Sequence, residues 1–171
     1  MDLSDRLVEH DHWLTARLLE NAAALPDEAL YRPIRPGRVV HAFEGAEPDV
    51  RTMLERIVFT IEVWTAAIGG RDIPPRDQRS IPALQARLAA AQPQFAALVR
   101  RVRDRHEWDD VFVDALCTPP VSFTLGSVIA HILTVGVVRR QAVIEALREL
   151  GVQDVEARDP IEWERAIAGL G

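Results

Sequence analysis

The chain has 171 residues, enough for one domain with a sizeable core, and 48% apolar against 27% charged residues is a globular balance. A net charge of −6 argues against wrapping nucleic-acid phosphates, and all twenty basic residues are Arg, which excludes a Schiff-base, phosphate-loop or general-base lysine. The lone Cys117 excludes an internal disulfide and any paired-cysteine zinc spacing. No signal-peptide pattern opens the chain, so a cytoplasmic location is expected.

In chain order, a first helix is expected from about Ser4 to Ala24, with Leu3, Leu7, Leu14 and Leu18 on one face and Trp13, Leu19 and Ala22 widening it. Residues 32–48 are punctuated by Pro and Gly and read as an extended loop with a short β-prone run at 38–43. A second helix runs from about Asp49, its cap, to Ile68 before Gly69-Gly70. Eleven of the sixteen residues from Met53 to Ile68 are apolar and spread round the helix, which predicts central burial or cover by a second subunit. The third helix spans about Ile81 to Arg103, with Ser80 as cap and a kink expected at Pro93. Asp110–Leu116 reads as a short strand or extended arm ending at Pro119-Pro120.

The fourth helix covers about Leu125 to Leu150 and stops at Gly151. No charged residue occurs from Ala115 to Val138, but the two prolines and several polar residues interrupt that stretch, so a core helix is expected and not a membrane span. Asp159-Pro160-Ile161-Glu162 is a capping box with Pro at the first helical position, opening a short C-terminal helix. Four long amphipathic helices predict an all-α four-helix bundle with small extended loop segments, one domain over residues 1–171.

Several stretches, in order, resemble the DinB-like (YfiT-like) metalloenzyme family. They are His-Asp-His-Trp-Leu-Thr at 10–15, Leu-Pro-Asp-Glu-Ala-Leu at 25–30, and Val-Arg-Thr-Met-Leu-Glu-Arg-Ile at 50–57 with Trp64 and Gly70. Trp-Asp-Asp-Val-Phe-Val-Asp at 108–114, Ile-Glu-Trp at 161–163 and the run Ala-His-Ile-Leu-Thr-Val-Gly-Val-Val-Arg-Arg at 130–140 continue the likeness. The resemblance implies a DinB/YfiT-type four-helix bundle and a homodimer. It also implies a metal triad of one His from the second helix and two from the fourth. Those positions fall here at Arg56, Val135 and either Val138 or Arg139, while His131, Gly136 and Arg140 match the family's pattern. Arg only donates hydrogen bonds and Val cannot ligate, so no metal, no other cofactor and no catalytic residue is expected.

Arg56 and Arg139 then admit two readings. They pair with internal acids such as Asp11, Glu55 or Glu62, or they grip a small anionic ligand in the former metal pocket. Asp11, His10 and His131 complete the candidate ligand-binding set. His10 and His12 lie about 200° apart on a helix and cannot share one ion; His10 is placed inward and His12 toward solvent. His131 is expected to make a buried hydrogen bond, and His41 and His106 to lie at the surface. Cys117 reads as a small buried hydrophobe, and the Arg-rich run at 100–105 as a solvated helix end. The leading expectation is a metal-free, non-catalytic binding protein with no nucleic-acid or membrane partner. The alternative is a metal-dependent thiol transferase or isomerase using His131, Asp11 and His10, and a third reading is a purely structural interaction protein.

Overall fold

The computed structural model describes residues 1–34, 39–40, 44–114, 118–153, 155 and 159–169. Helix α1 spans Leu3–Ala23 and starts one residue early because Asp2 caps it: the Asp2 carboxylate accepts from the Asp5 N–H at 3.0 Å, in a capping box. Its buried face holds Val8, Leu14, Leu18, Leu19 and Ala22, together with Asp11 and Thr15. Leu3 and Leu7, expected on that face, are 72% and 38% exposed. They share its direction, but in the first two turns α1 is held by Val8 and by the ion pairs of Asp2 and Asp5 with Arg103.

Helix α2 spans Val50–Ile68. Asp49 caps it by accepting from the Thr52 N–H at 2.6 Å, and Gly70 follows at φ +63°, a left-handed conformation that favours glycine. Helix α3 spans Ile81–Asp104 with Ser80 as cap and Pro93 inside, and helix α4 spans Leu125–Glu149 with Thr124 as cap. The short helix α5, Pro160–Ile167, opens on the expected Asp159–Glu162 capping box.

Helix α1 packs on α3 and α4, and α2 packs on the same two, so the circuit of the bundle runs α1, α3, α2, α4. The short 69–80 link joins neighbours, whereas the longer α1–α2 and α3–α4 links join helices that lie across the bundle from each other. One continuous apolar core fills the interior, with Leu18 and Leu19 of α1, Met53 and Leu54 of α2, Phe95 of α3 and Val143 and Leu147 of α4 at its centre.

The expected extended arm is strand β1, Val111–Asp114, and it pairs antiparallel with an unanticipated strand β2, Val121–Thr124. Phe112 faces Phe123 across the pair, and both rings stand edge-on to Trp64 of α2, with centroids 6.3 and 6.2 Å away. The hairpin thereby closes one side of α2 with aromatic contacts. Helix α4 is the one described helix long and apolar enough to cross a bilayer, but half of its most apolar stretch is buried against the bundle. The β-prone run at 38–43 falls largely outside the described residues.

Candidate functional site

The α2–α4 seam carries a buried cluster of four charges. Arg56 is on α2 and Arg139 on α4; Glu44 and Glu47 come from the loop that leads into α2. The fully buried Glu47 carboxylate lies 2.8 Å from Arg139 Nε and 3.3 Å from Arg56 Nη1, so one acid bridges the two helices. Glu44 also pairs with Arg139, while Arg56 donates to the carbonyls of Glu44 and, at 3.1 Å, Gly45. Thr60, one turn beyond Arg56 on α2, accepts from Arg139 Nη1 at 3.0 Å and donates to the Arg56 carbonyl at 2.7 Å. Two carboxylates balance two guanidiniums. Burial pushes the Arg139 guanidinium down to about 10, which still leaves it protonated near neutral pH.

Asp11, Glu55 and Glu62, the acids expected to partner these arginines, are each engaged elsewhere. Asp11 accepts from Arg140, Glu55 binds Arg76 and Arg87, and Glu62 binds Arg87. The true partner, Glu47, comes from a chain segment 92 residues before Arg139. Helical periodicity carries no information about such a contact. The one available signal was the Glu44-Gly45-Ala46-Glu47-Pro48 run directly before the Asp49 cap, two acids in a loop that must return to the end of α2.

Of the two helix-4 positions left open by the resemblance, Arg139 is buried beside Arg56, whereas Val138 is 49% exposed. Val135, half-buried, lies one turn before Arg139. Arg56, Val135 and Arg139 offer two permanent cations and a hydrocarbon, so these residues do not fit a divalent metal. Among the described residues, no three His, Cys, Asp or Glu side chains form a group able to hold one either.

The remaining candidates are dispersed. Asp11 and Arg140 form a second buried pair at 2.5 Å between α1 and α4, with Thr15 Oγ1 3.3 Å from the same guanidinium nitrogen. Burial pushes the Asp11 carboxyl up, with Arg140 opposing it. Gly136 makes room for this pair: a Cβ there would stand 2.9 Å from Arg140 Nη1 and 3.2 Å from Asp11 Oδ1. The match to the resembled pattern at Gly136 and Arg140 thus has a packing cause. His10 is buried and meets the Trp163 ring of α5 edge-on at 5.8 Å. His131 belongs to the hairpin's aromatic cluster, half-buried with its ring 5.9 Å from Trp64.

His12, expected in solvent, is half-buried, because α3 and α5 flank its side of α1; burial lowers its pKa below the usual histidine value. His106 is exposed, in a left-handed backbone conformation. Within the Arg-rich end of α3, Arg103 pairs with Asp2 and Asp5 at 2.6 and 2.7 Å, tying α3 to the start of α1. His41 and Cys117 lie outside the described residues.

A second region is concave. Helices α1, α3 and α5 border a groove of about 570 Å³, with Val8, Trp13, Ala96, Val99 and Ile167 among its walls. In comparisons with known proteins, no protein-family model and no curated sequence matches the chain.

Proposed function

We propose that the protein is a DinB-like four-helix bundle that works without a metal, as a cytoplasmic binding protein and not as an enzyme. The observation that carries this reading is the Glu47 carboxylate seated between Arg56 and Arg139, on the two helices where the resemblance calls for metal ligands. A site once served by a dication and imidazoles would here be served by guanidiniums and an internal carboxylate. Charge balance is kept while the ligand preference is inverted from cation to anion.

The two acids differ in how firmly they are held. Glu47 is fully buried, whereas the Glu44 side chain is 31% exposed. A small carboxylate or phosphate would therefore exchange with Glu44 at Arg139 while Glu47 stays in place. Such exchange needs only a loop side chain to swing out.

Thermal unfolding in increasing inorganic phosphate or malonate tests this. The wild-type midpoint should rise with anion, Glu44→Gln should strengthen the effect by removing the competitor, and Arg56→Glu should remove it. If stability were indifferent to every anion in wild type and Glu44→Gln alike, the anion site would be abandoned.

The same reading includes a homodimer, supported by Val137 and Val138, which stand 57% and 49% exposed on the outer face of α4. Light scattering should give twice the chain mass for wild type and the chain mass for Val138→Asp. The enzyme alternative would require His131 to join Asp11 and His10, but His131 packs on Trp64 and Asp11 is bonded to Arg140.

A further inference from the structure

The groove between α1, α3 and α5 is a second, independent feature, and its chemistry is unlike that of the arginine cluster. Its volume of about 570 Å³ suits a small organic molecule. Its walls are mainly apolar, but two deeply buried lining residues carry polar atoms without a partner among the described residues. Gln92, 7% exposed, donates from Nε2 to the Val8 carbonyl at 3.0 Å and leaves Oε1 unpaired. Trp163, 3% exposed, leaves its indole N–H unpaired. Buried polar groups of this kind are normally satisfied; a donor on a bound molecule would relieve the Gln92 oxygen, and the π face of an aromatic ring would receive the Trp163 N–H.

The lining favours donors on the occupant. Pro93 has no N–H to give the carbonyl of Ala89 one turn earlier, so this lining stretch of α3 carries a backbone acceptor without its helical donor. Charge points the same way: Asp5 and Glu9 line the groove against the single guanidinium of Arg100. Asp5 is committed to Arg103, while Glu9 is exposed and makes no ion pair among the described residues. His12 also lines the groove, with Nδ1 unpaired, and burial favours its neutral form, so it adds little positive charge near neutral pH. Trp13 and Trp163 offer aromatic surface for a flat ring or a cationic group.

We infer that this groove binds a small aromatic amine, its ring between the apolar walls and Trp163, its protonated nitrogen toward Glu9 and the acceptors of α3. The inference does not depend on the anion site, which lies on other helices and selects the opposite charge.

Three indoles that differ in side chain and charge test it: tryptamine, indole and indole-3-acetate, titrated into ¹⁵N-labelled protein while the indole N–H resonances are followed. The Trp163 signal is assigned by its loss in Trp163→Phe. Tryptamine should shift the Trp163 N–H, indole should do so more weakly, and indole-3-acetate should not at the same concentration. Glu9→Gln should weaken tryptamine about two- to fivefold and leave indole unchanged, the size of an exposed ion pair. Ala96→Trp should fill the groove and abolish binding of both; Ala96→Leu, a smaller plug, serves if the larger variant does not fold. Absence of any tryptamine shift, equal response to indole-3-acetate, or binding that survives both Ala96 variants would overturn the inference.

Discussion

The two polar regions of this bundle are built in opposite ways. On the α2–α4 seam every charge has an internal counter-charge: Glu44 and Glu47 answer Arg56 and Arg139. On the α1–α3–α5 side Gln92 Oε1 and the Trp163 N–H lack partners among the described residues, and an apolar groove lies open beside them. The first region is closed by its own side chains and would admit a ligand only by exchange. The second has room and unmet hydrogen-bonding capacity. Buried charge marks a site of structural tension, whereas unsatisfied neutral groups beside a cavity mark a place for something to bind.

Mutations in the two regions should therefore differ in size. The largest effect is expected from Glu47→Leu, which leaves two guanidiniums in the seam with Glu44 as their one remaining carboxylate and should cost about 3–5 kcal/mol in urea unfolding. Adding Arg56→Met and Arg139→Met should restore most of that loss, since a buried ion cluster and a well-packed apolar one have similar stability. A single-mutant cost near zero would mean that the seam is wetter and looser than described. Next, Gly136→Ala should cost about 1 kcal/mol, because its Cβ would push the Arg140 guanidinium away from Asp11 while the helix gains from losing a glycine. The same change made in an Asp11→Leu, Arg140→Met background should cost much less, and an unchanged cost would contradict that cause.

The groove should be more forgiving. Gln92→Met removes one hydrogen bond to the Val8 carbonyl but also removes an unpaired buried oxygen, so stability should move by no more than about 1 kcal/mol. A loss as large as that of Glu47→Leu would erase the contrast between the regions. The smallest effect concerns pH. The folded-state pKa of His12 lies below its usual value of 6.5, so the unfolded chain binds that proton first as pH falls. Its contribution to stability is complete above 6.5 and is lost on acidification through the window just below it. His12→Gln should flatten that part of the pH–stability curve; an identical slope would show that other groups set it.

Much of the fold was legible because it rests on local chemistry. Asp49, Ser80 and the Asp159–Glu162 box all cap where their side chains can reach the next turn, and the helix ends follow. The Asp2 cap lies two residues before the expected start of α1, and Val121–Thr124 is too short a strand to stand out before a long helix. At the seam, the sequence singled out Arg56 and Arg139 but not Glu47, whose contact with Arg139 depends on how a proline-rich loop returns to the bundle. The same limit applies to Asp11 and Arg140. Each was visible alone, but their pairing across 129 residues, and the glycine that permits it, belong to packing. The groove could not be read at all, because it is a gap between three helices.

On the proposed reading, internal ion pairs fill the seam and no metal enters it. Elemental analysis by inductively coupled plasma mass spectrometry tests it most directly, on untagged protein incubated with zinc and nickel and then desalted. The account predicts no transition metal above background in wild type and none gained in Glu47→Gln. A stoichiometric metal that survives desalting and disappears in His131→Ala would contradict it and would put the enzyme reading first.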